Sequence, residues 1–290
     1  MPTRRAAGSP RPASGRPSRS PPAPCCTSYK ERCMPAKPDQ EGKGGTLPGC
    51  PQKIEGKGGT LPGCPQKIVG LVTIGQSPRV DIVPEMAAVM GPGVDVREAG
   101  VLDGLGRAEI AALAPTGDDE ILVTRLADGT SVFLGKQKIV GHVEARIAAL
   151  ERGGAAITAL LCTGAFPPLK ATKALIQPQP VLLGAVRGMR WPGRLGVLTP
   201  SVPHVPQTEA RWRADGFDPV VIPLSPYEHE DAAALARVGA ALRAAGAGLV
   251  VMDCMGFNRK TRDELRALTG APVLLANLLV ARVAAELCGA

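Results

Sequence analysis

From Ile68 onward the chain is punctuated by short runs that are apolar without alternation: I-V-G-L-V-T-I-G, A-A-I-T-A-L-L-C-T-G, R-L-G-V-L-T-P and G-L-V-V-M-D-C-M-G. A strand with one face in water alternates apolar and polar residues, whereas a strand covered on both faces does not. Between these runs lie segments with helical spacing, such as K-I-V-G-H-V-E-A-R-I-A-A-L, stopped at Gly153-Gly154, and the Ala-rich stretch ahead of the last run. Strands alternating with helices build parallel sheets covered by helices. The fold class read from this pattern is α/β. Two similar Rossmann-like parallel-sheet domains are expected, residues 68–185 and 186–290, with a ligand cleft between them. The last helix, L-L-V-A-R-V-A-A-E-L, is placed to pack back on the first domain. One departure from the alternation is expected at Asp128-Gly129, a hairpin turn between E-I-L-V-T-R-L and T-S-V-F-L.

The first 67 residues follow other rules. They are rich in Pro, Arg, Ser and Gly, lack periodic apolar runs, and repeat E-G-K-G-G-T-L-P-G-C-P-Q-K-I in tandem at 41–54 and 55–68. Such a segment buries too little apolar surface to offset its ordering entropy, so a disordered N-terminal tail is expected. Two identical fourteen-residue copies read as a recent duplication, and residues 1–66 as an over-extended start or a dispensable tail; an Arg- and Ser-rich transit peptide is the rival reading. The tail also explains the basic balance. Of 34 Lys/Arg and 26 Asp/Glu, residues 1–67 hold twelve and four, so the remainder carries 22 of each sign and is neutral. A nucleic-acid partner would need the excess on the folded part. No run of 18 apolar residues exists to span a membrane.

Five of the eight cysteines lie in the tail, leaving Cys162, Cys254 and Cys288 in the body. A disulfide framework belongs to short secreted chains, so a reduced, cytoplasmic setting is expected. Cys162 and Cys254 each end an apolar run, and in open α/β sheets the carboxyl ends of strands are where ligands bind. Two thiols across one cleft suggest proton removal from one face of a carbon and delivery to the other. Both are expected to stand just before helices, whose N-termini favour a thiolate. The plain alternative is that each is a buried small hydrophobe. Around them, Thr163, Gly164, Thr199, Ser201 and Asn258 are candidates to hold a substrate anion, and Arg79 to grip a carboxylate bidentately. Thr73, Gln76 and Ser77 follow the first strand where an anion loop would sit, although Thr73 and Ser77 also suit plain helix caps. Asn277 closes the last strand and either points to the cleft or makes the turn. Cys288 is expected to be inert, and Arg259, Lys260 and Arg262 a solvated face.

No histidine pair has ligand spacing, so no metal is expected, and no cofactor motif is present: G-x-x-x-x-G-K-[ST] and G-x-G-x-x-G are both missing. His204, in T-P-S-V-P-H-V-P, sits on a loop after a strand end and either reaches the cleft or, the commoner case, lies on the surface; His142 and His229 fall on helix faces. The expected partner is a small carboxylate-containing molecule, not nucleic acid or membrane, with homo-oligomerisation left open.

Three segments, L-V-T-I-G-Q-S-P-R-V-D-I-V-P-E-M, V-M-D-C-M-G-F-N and P-V-L-L-A-N-L-L-V-A-R-V-A-A-E-L, resemble the AroM family over about residues 68–290. More distantly, the layout resembles the aspartate/glutamate/hydantoin racemase superfamily. That resemblance implies two α/β domains with the ligand between them and a racemase or isomerase that works without pyridoxal phosphate. It also implies Cys162 and Cys254 as acid and base, one from each domain. One departure stands out: those racemases often carry C-T-H at the second cysteine, whereas here Asp253-Cys254-Met255-Gly256 occurs. A non-catalytic ligand-binding or regulatory protein on the same fold is the alternative.

Overall fold

The computed structural model describes residues 67–227 and 232–289; the expectations for residues 1–66 and for His229 lie outside the described residues. The first lobe runs β1 (Lys67–Thr73), α1 (Val83–Met90), β2 (Val94–Gly100), α2 (Arg107–Ala112), the hairpin β3 (Ile121–Arg125) and β4 (Ser131–Gly135), α3 (Lys136–Arg152), β5 (Ile157–Leu161), β6 (Ala174–Ile176) and α4 (Pro178–Arg187). The second runs β7 (Arg194–Thr199), α5 (Val205–Ala214), β8 (Pro219–Pro223), α6 (Ala232–Ala244), β9 (Ala247–Met252), α7 (Arg259–Thr269), β10 (Val273–Leu275) and α8 (Ala276–Cys288). Two four-stranded parallel sheets result, ordered β2-β1-β5-β6 and β8-β7-β9-β10, with strands in matching roles. The α/β class with two parallel sheets stands as the sequence suggested. The hairpin pairs apart from both sheets, and Gly129 turns it at φ +85°.

The unalternating runs are explained by which side chains face where. Along β1 and the residue just past it, Val69 and Leu71 enter one cluster while Val72 and Ile74 enter another. Along β9, Leu249 and Val251 face the first of these and Val250 and Met252 a third. Period-two alternation thus sorts apolar residues between two buried faces. The first cluster is shared by both lobes: it takes in Leu71 and Leu161, Val197 and Val251, and the helices α1, α4 and α8. Although α8 follows the last strand of the second sheet, it packs on α1, α4 and β5 of the first lobe. A common core fixes the lobes together and leaves their strand carboxyl ends facing one space.

Candidate functional site

β5 ends at Leu161 and runs into Cys162-Thr163-Gly164; β9 ends at Met252 and runs into Asp253-Cys254-Met255-Gly256. The two loops are tied together where the Thr163 hydroxyl donates to the Asp253 carbonyl at 3.1 Å, buried. Around them closes a cavity of about 40 Å³. One water needs roughly 10–15 Å³, so the space suits a very small ligand or opens to admit one. The hairpin walls one side with Leu122, Val123 and Thr124, α5 another with Gln207, Thr208 and Arg211. Gln207 locks these walls together, accepting from Ile121 N at 3.0 Å and donating to Ile121 O at 2.7 Å.

Of the residues singled out from sequence, Cys162, Cys254, Arg79, Thr163, Gly164 and Thr199 line this cavity. The others serve as supports. Thr73 is buried, its hydroxyl accepting from Arg79 Nη1 at 3.1 Å and Gly75 N at 3.2 Å. Gln76 spans Leu102 O and Ala127 N, and Ser77, preceding a cis Pro78, donates to Asp103 at 2.6 Å. The Ser201 hydroxyl meets His204 Nδ1 at 2.8 Å. Asn258 caps α7, accepting from Thr261 N at 2.9 Å. Asn277 lies in the first turn of α8 rather than closing a strand, and its amide donates to the Met255 and Phe257 carbonyls, shaping the loop after Cys254. Cys288 is buried in α8. Among the outlying charges and histidines, Arg259 and Lys260 are exposed, Arg262 pairs with Asp263, and His142 is exposed on α3.

Two expectations need correcting. No helix follows Cys162: residues 162–173 are irregular and lead to β6, so no helix N-terminus stabilises that thiolate. His204 is not on the surface; it is 4% exposed, in a short 3-10 turn before α5, and lines the cavity. Residues passed over in the sequence include Arg211, Gln207, Thr208 and Tyr227. Three of these and His204 recur at positions 204, 207, 208 and 211, the spacing of one helix face, and that stripe was the available signal. Nothing local marked Tyr227, whose ring lies under Arg125 at 4.9 Å.

The polar groups form two charged nests. Arg79 clasps Asp81 with two parallel bonds, Nε at 2.9 Å and Nη2 at 2.8 Å. Burial works to raise the Asp81 carboxyl, but the Arg79 hydrogen bonds and charge hold it below the usual range. On the other side, Asp253 Oδ2 accepts from Arg211 Nη2 at 2.5 Å and from the Trp212 indole at 2.8 Å. Asp253 is therefore turned toward α5, and its charge is only a lesser contributor to the raised pKa of Cys254. Burial is the main cause for both thiols, pushing Cys254 up to about 11 and Cys162 up to about 12. Opposing it, the Gly164 amide and Arg211 favour the Cys162 thiolate, and Gly256 and Arg79 that of Cys254. Both thiols rest protonated; a thiolate formed in this site is correspondingly a strong base. Burial and the Arg211 charge also lower His204 to about 4, so its ring is neutral.

Among the described residues, no three His, Cys, Asp or Glu side chains gather to hold a metal ion, and no helix is long and apolar enough to cross a membrane. The model of a family described as AroM protein matches residues 69–288. No curated protein matches the chain by sequence. Among solved structures, unliganded arylmalonate decarboxylase is similar at a TM-score of 0.52 and 16% identity, covering 77% of this chain and 93% of that one. Allantoin racemase from Klebsiella pneumoniae gives a TM-score of 0.52 at 16% identity, covering 77% and 88%. Glutamate racemase from Francisella tularensis, in complex with D-glutamate, gives 0.51 at 10% identity, covering 77% and 81%. At such identities the likeness is one of fold.

Proposed function

The chain belongs to the AroM family, and from that premise we propose that it is a cofactor-independent isomerase of racemase type, acting on a small carboxylic or amino acid through Cys162 and Cys254. The observation that carries this reading is the cavity itself, which takes one thiol from each lobe at the carboxyl ends of equivalent strands, β5 and β9. A carbon held between them would lose its proton to one sulfur and regain one from the other. Similar folds lend support: racemases of glutamate and allantoin, and a decarboxylase of arylmalonate. Each of those names implies a carbon next to a carbonyl group.

Residue chemistry gives each group a part. Cys162 and Cys254 exchange the proton. The paired Thr199 and Thr208 hydroxyls have one proton left over to donate to charge developing on the substrate carboxylate, while the Gly164 and Gly256 amides serve the two sulfurs. Free Cys162, Cys254 and Cys288 suit a reduced, cytoplasmic setting. The test is deuterium incorporation beside the carboxylate of amino and hydroxy acids in heavy water. Cys162→Ser and Cys254→Ser should each slow it by about 10²-fold or more, the usual worth of a positioned acid or base. If no compound exchanges, and both variants bind ligand as the parent does, the chain is instead a binding protein on this fold.

A further inference from the structure

The two arginines of the cavity come crosswise from the lobes. Arg79, from the first, acts on Cys254 of the second, and Arg211, from the second, acts on Cys162 of the first. They differ in what they have left to give. Every nitrogen of Arg79 is engaged: Nε and Nη2 by Asp81, Nη1 by Thr73. Arg211 gives Nη2 to Asp253, holds Nη1 3.8 Å from Glu120 Oε1, and buries Nε with no hydrogen-bond partner among the described residues. Its neighbour Asp253, whose side chain is 1% exposed, likewise has Oδ1 buried and unpartnered. Buried polar atoms in folded proteins nearly always find partners, so a donor and an acceptor left over side by side on one cavity wall point to a ligand.

The charges on this wall narrow the ligand. Arg211 faces Asp253 and Glu120, and Lys136 pairs with Glu120. Two cations against two carboxylates leave the wall neutral. An added carboxylate would meet Arg211 already matched, unless it carried a positive charge of its own. Resting on the two-thiol reading above, we infer that Arg211 and Asp253, and not Arg79, determine specificity. The Arg211 Nε–H takes the substrate carboxylate and Asp253 Oδ1 its α-ammonium, so that the site selects a small zwitterionic amino acid over a simple carboxylate. The arrangement lays the α-carbon against the wall beside Cys162.

Trp212 reports on this wall, because its indole donates to the same carboxylate. With Trp191→Phe, Trp212 is the one tryptophan remaining. Its emission is titrated in the full chain with D- and L-alanine, propionate and alaninamide. Alanine of at least one hand should shift the emission saturably, with propionate and alaninamide needing about tenfold higher concentrations or more, since each lacks one charge-assisted bond. Arg211→Lys, which keeps a cation beside Asp253, should weaken alanine by about tenfold, through loss of the planar fork. Asp253→Asn should erase the preference for alanine over propionate. Propionate binding as well as alanine, no response to either hand of alanine, or alanine binding that survives Arg211→Lys but not Arg79→Lys would each overturn the inference. A chain that binds alanine here yet exchanges no deuterium would sink the catalytic reading and keep this one.

Discussion

Acid should loosen this fold in a window set by one residue, His204. Its ring is buried against Phe133, at 6.1 Å between centroids, with Ser201 on Nδ1 and no partner on Nε2 among the described residues. Burial first, then the Arg211 charge, disfavour the imidazolium, while Glu120 and Asp253 favour it less strongly, so the native pKa falls from 6.5 to about 4. The unfolded chain therefore binds a proton near pH 6.5 that the native state refuses until about pH 4. Stability contributed by the neutral ring is complete above pH 6.5 and is lost as the pH falls. Integrating between these two values gives a loss of about 2 kcal/mol from pH 7 to pH 5, at 1.36 kcal/mol per pKa unit. With a urea slope of about 2–3 kcal/mol per M, the midpoint should fall by roughly 0.7–1 M. Urea titrations at pH 7, 6 and 5 should show this, and His204→Gln should flatten the dependence whatever its own packing cost. Asp81, held below the ordinary 3.8, releases its stability only in more acidic solution and does not blur the window. Equal midpoint shifts in parent and variant would refute the assignment.

Other consequences can be measured alongside. Iodoacetamide alkylation of Cys254 should quicken about tenfold per pH unit from pH 7 to 9.5, since its pKa of about 11 keeps the thiolate scarce; a plateau near pH 8.5, as for a free thiol, would contradict burial. Gln207→Ala removes both bonds to Ile121 and should cost about 1–2 kcal/mol, while protease sensitivity rises in the hairpin; an unchanged cleavage pattern would mean that the hairpin is held by other contacts. A methyl on Gly248 would stand 1.5 Å from the Pro192 carbonyl oxygen, so Gly248→Ala must part β9 from the strand-entry loop. The expected cost is about 3 kcal/mol or more, a fall of roughly 6–12 °C in Tm by calorimetry, and a Tm within 2 °C of the parent would refute the close approach.

Local pattern is enough for most strands and helices and for the hairpin, because each depends on neighbours a few residues away, but β6, α2 and α4 escape it. Runs apolar at every position required two covered faces, and β1, β5, β7 and β9 have them. The same logic put Cys162 and Cys254 at strand ends, where both line the cavity. What they meet there was a matter of long-range contact. Thr163 reaches Asp253 across 90 residues, Gln207 reaches Ile121 across 86, and Arg211 reaches Asp253 across 42. A sequence shows that an arginine is present but not which carboxylate has already claimed it. Arg79 is a carboxylate-anchor candidate by its place after the first strand, but Asp81 already clasps it; nothing in the sequence marks Arg211, which lines the cavity with a buried, unpartnered Nε. His204 likewise read as a loop residue until the hairpin covered it. The fold followed from periodicity, which is local, whereas the site's charges follow from desolvation and pairing, which only the packed lobes supply.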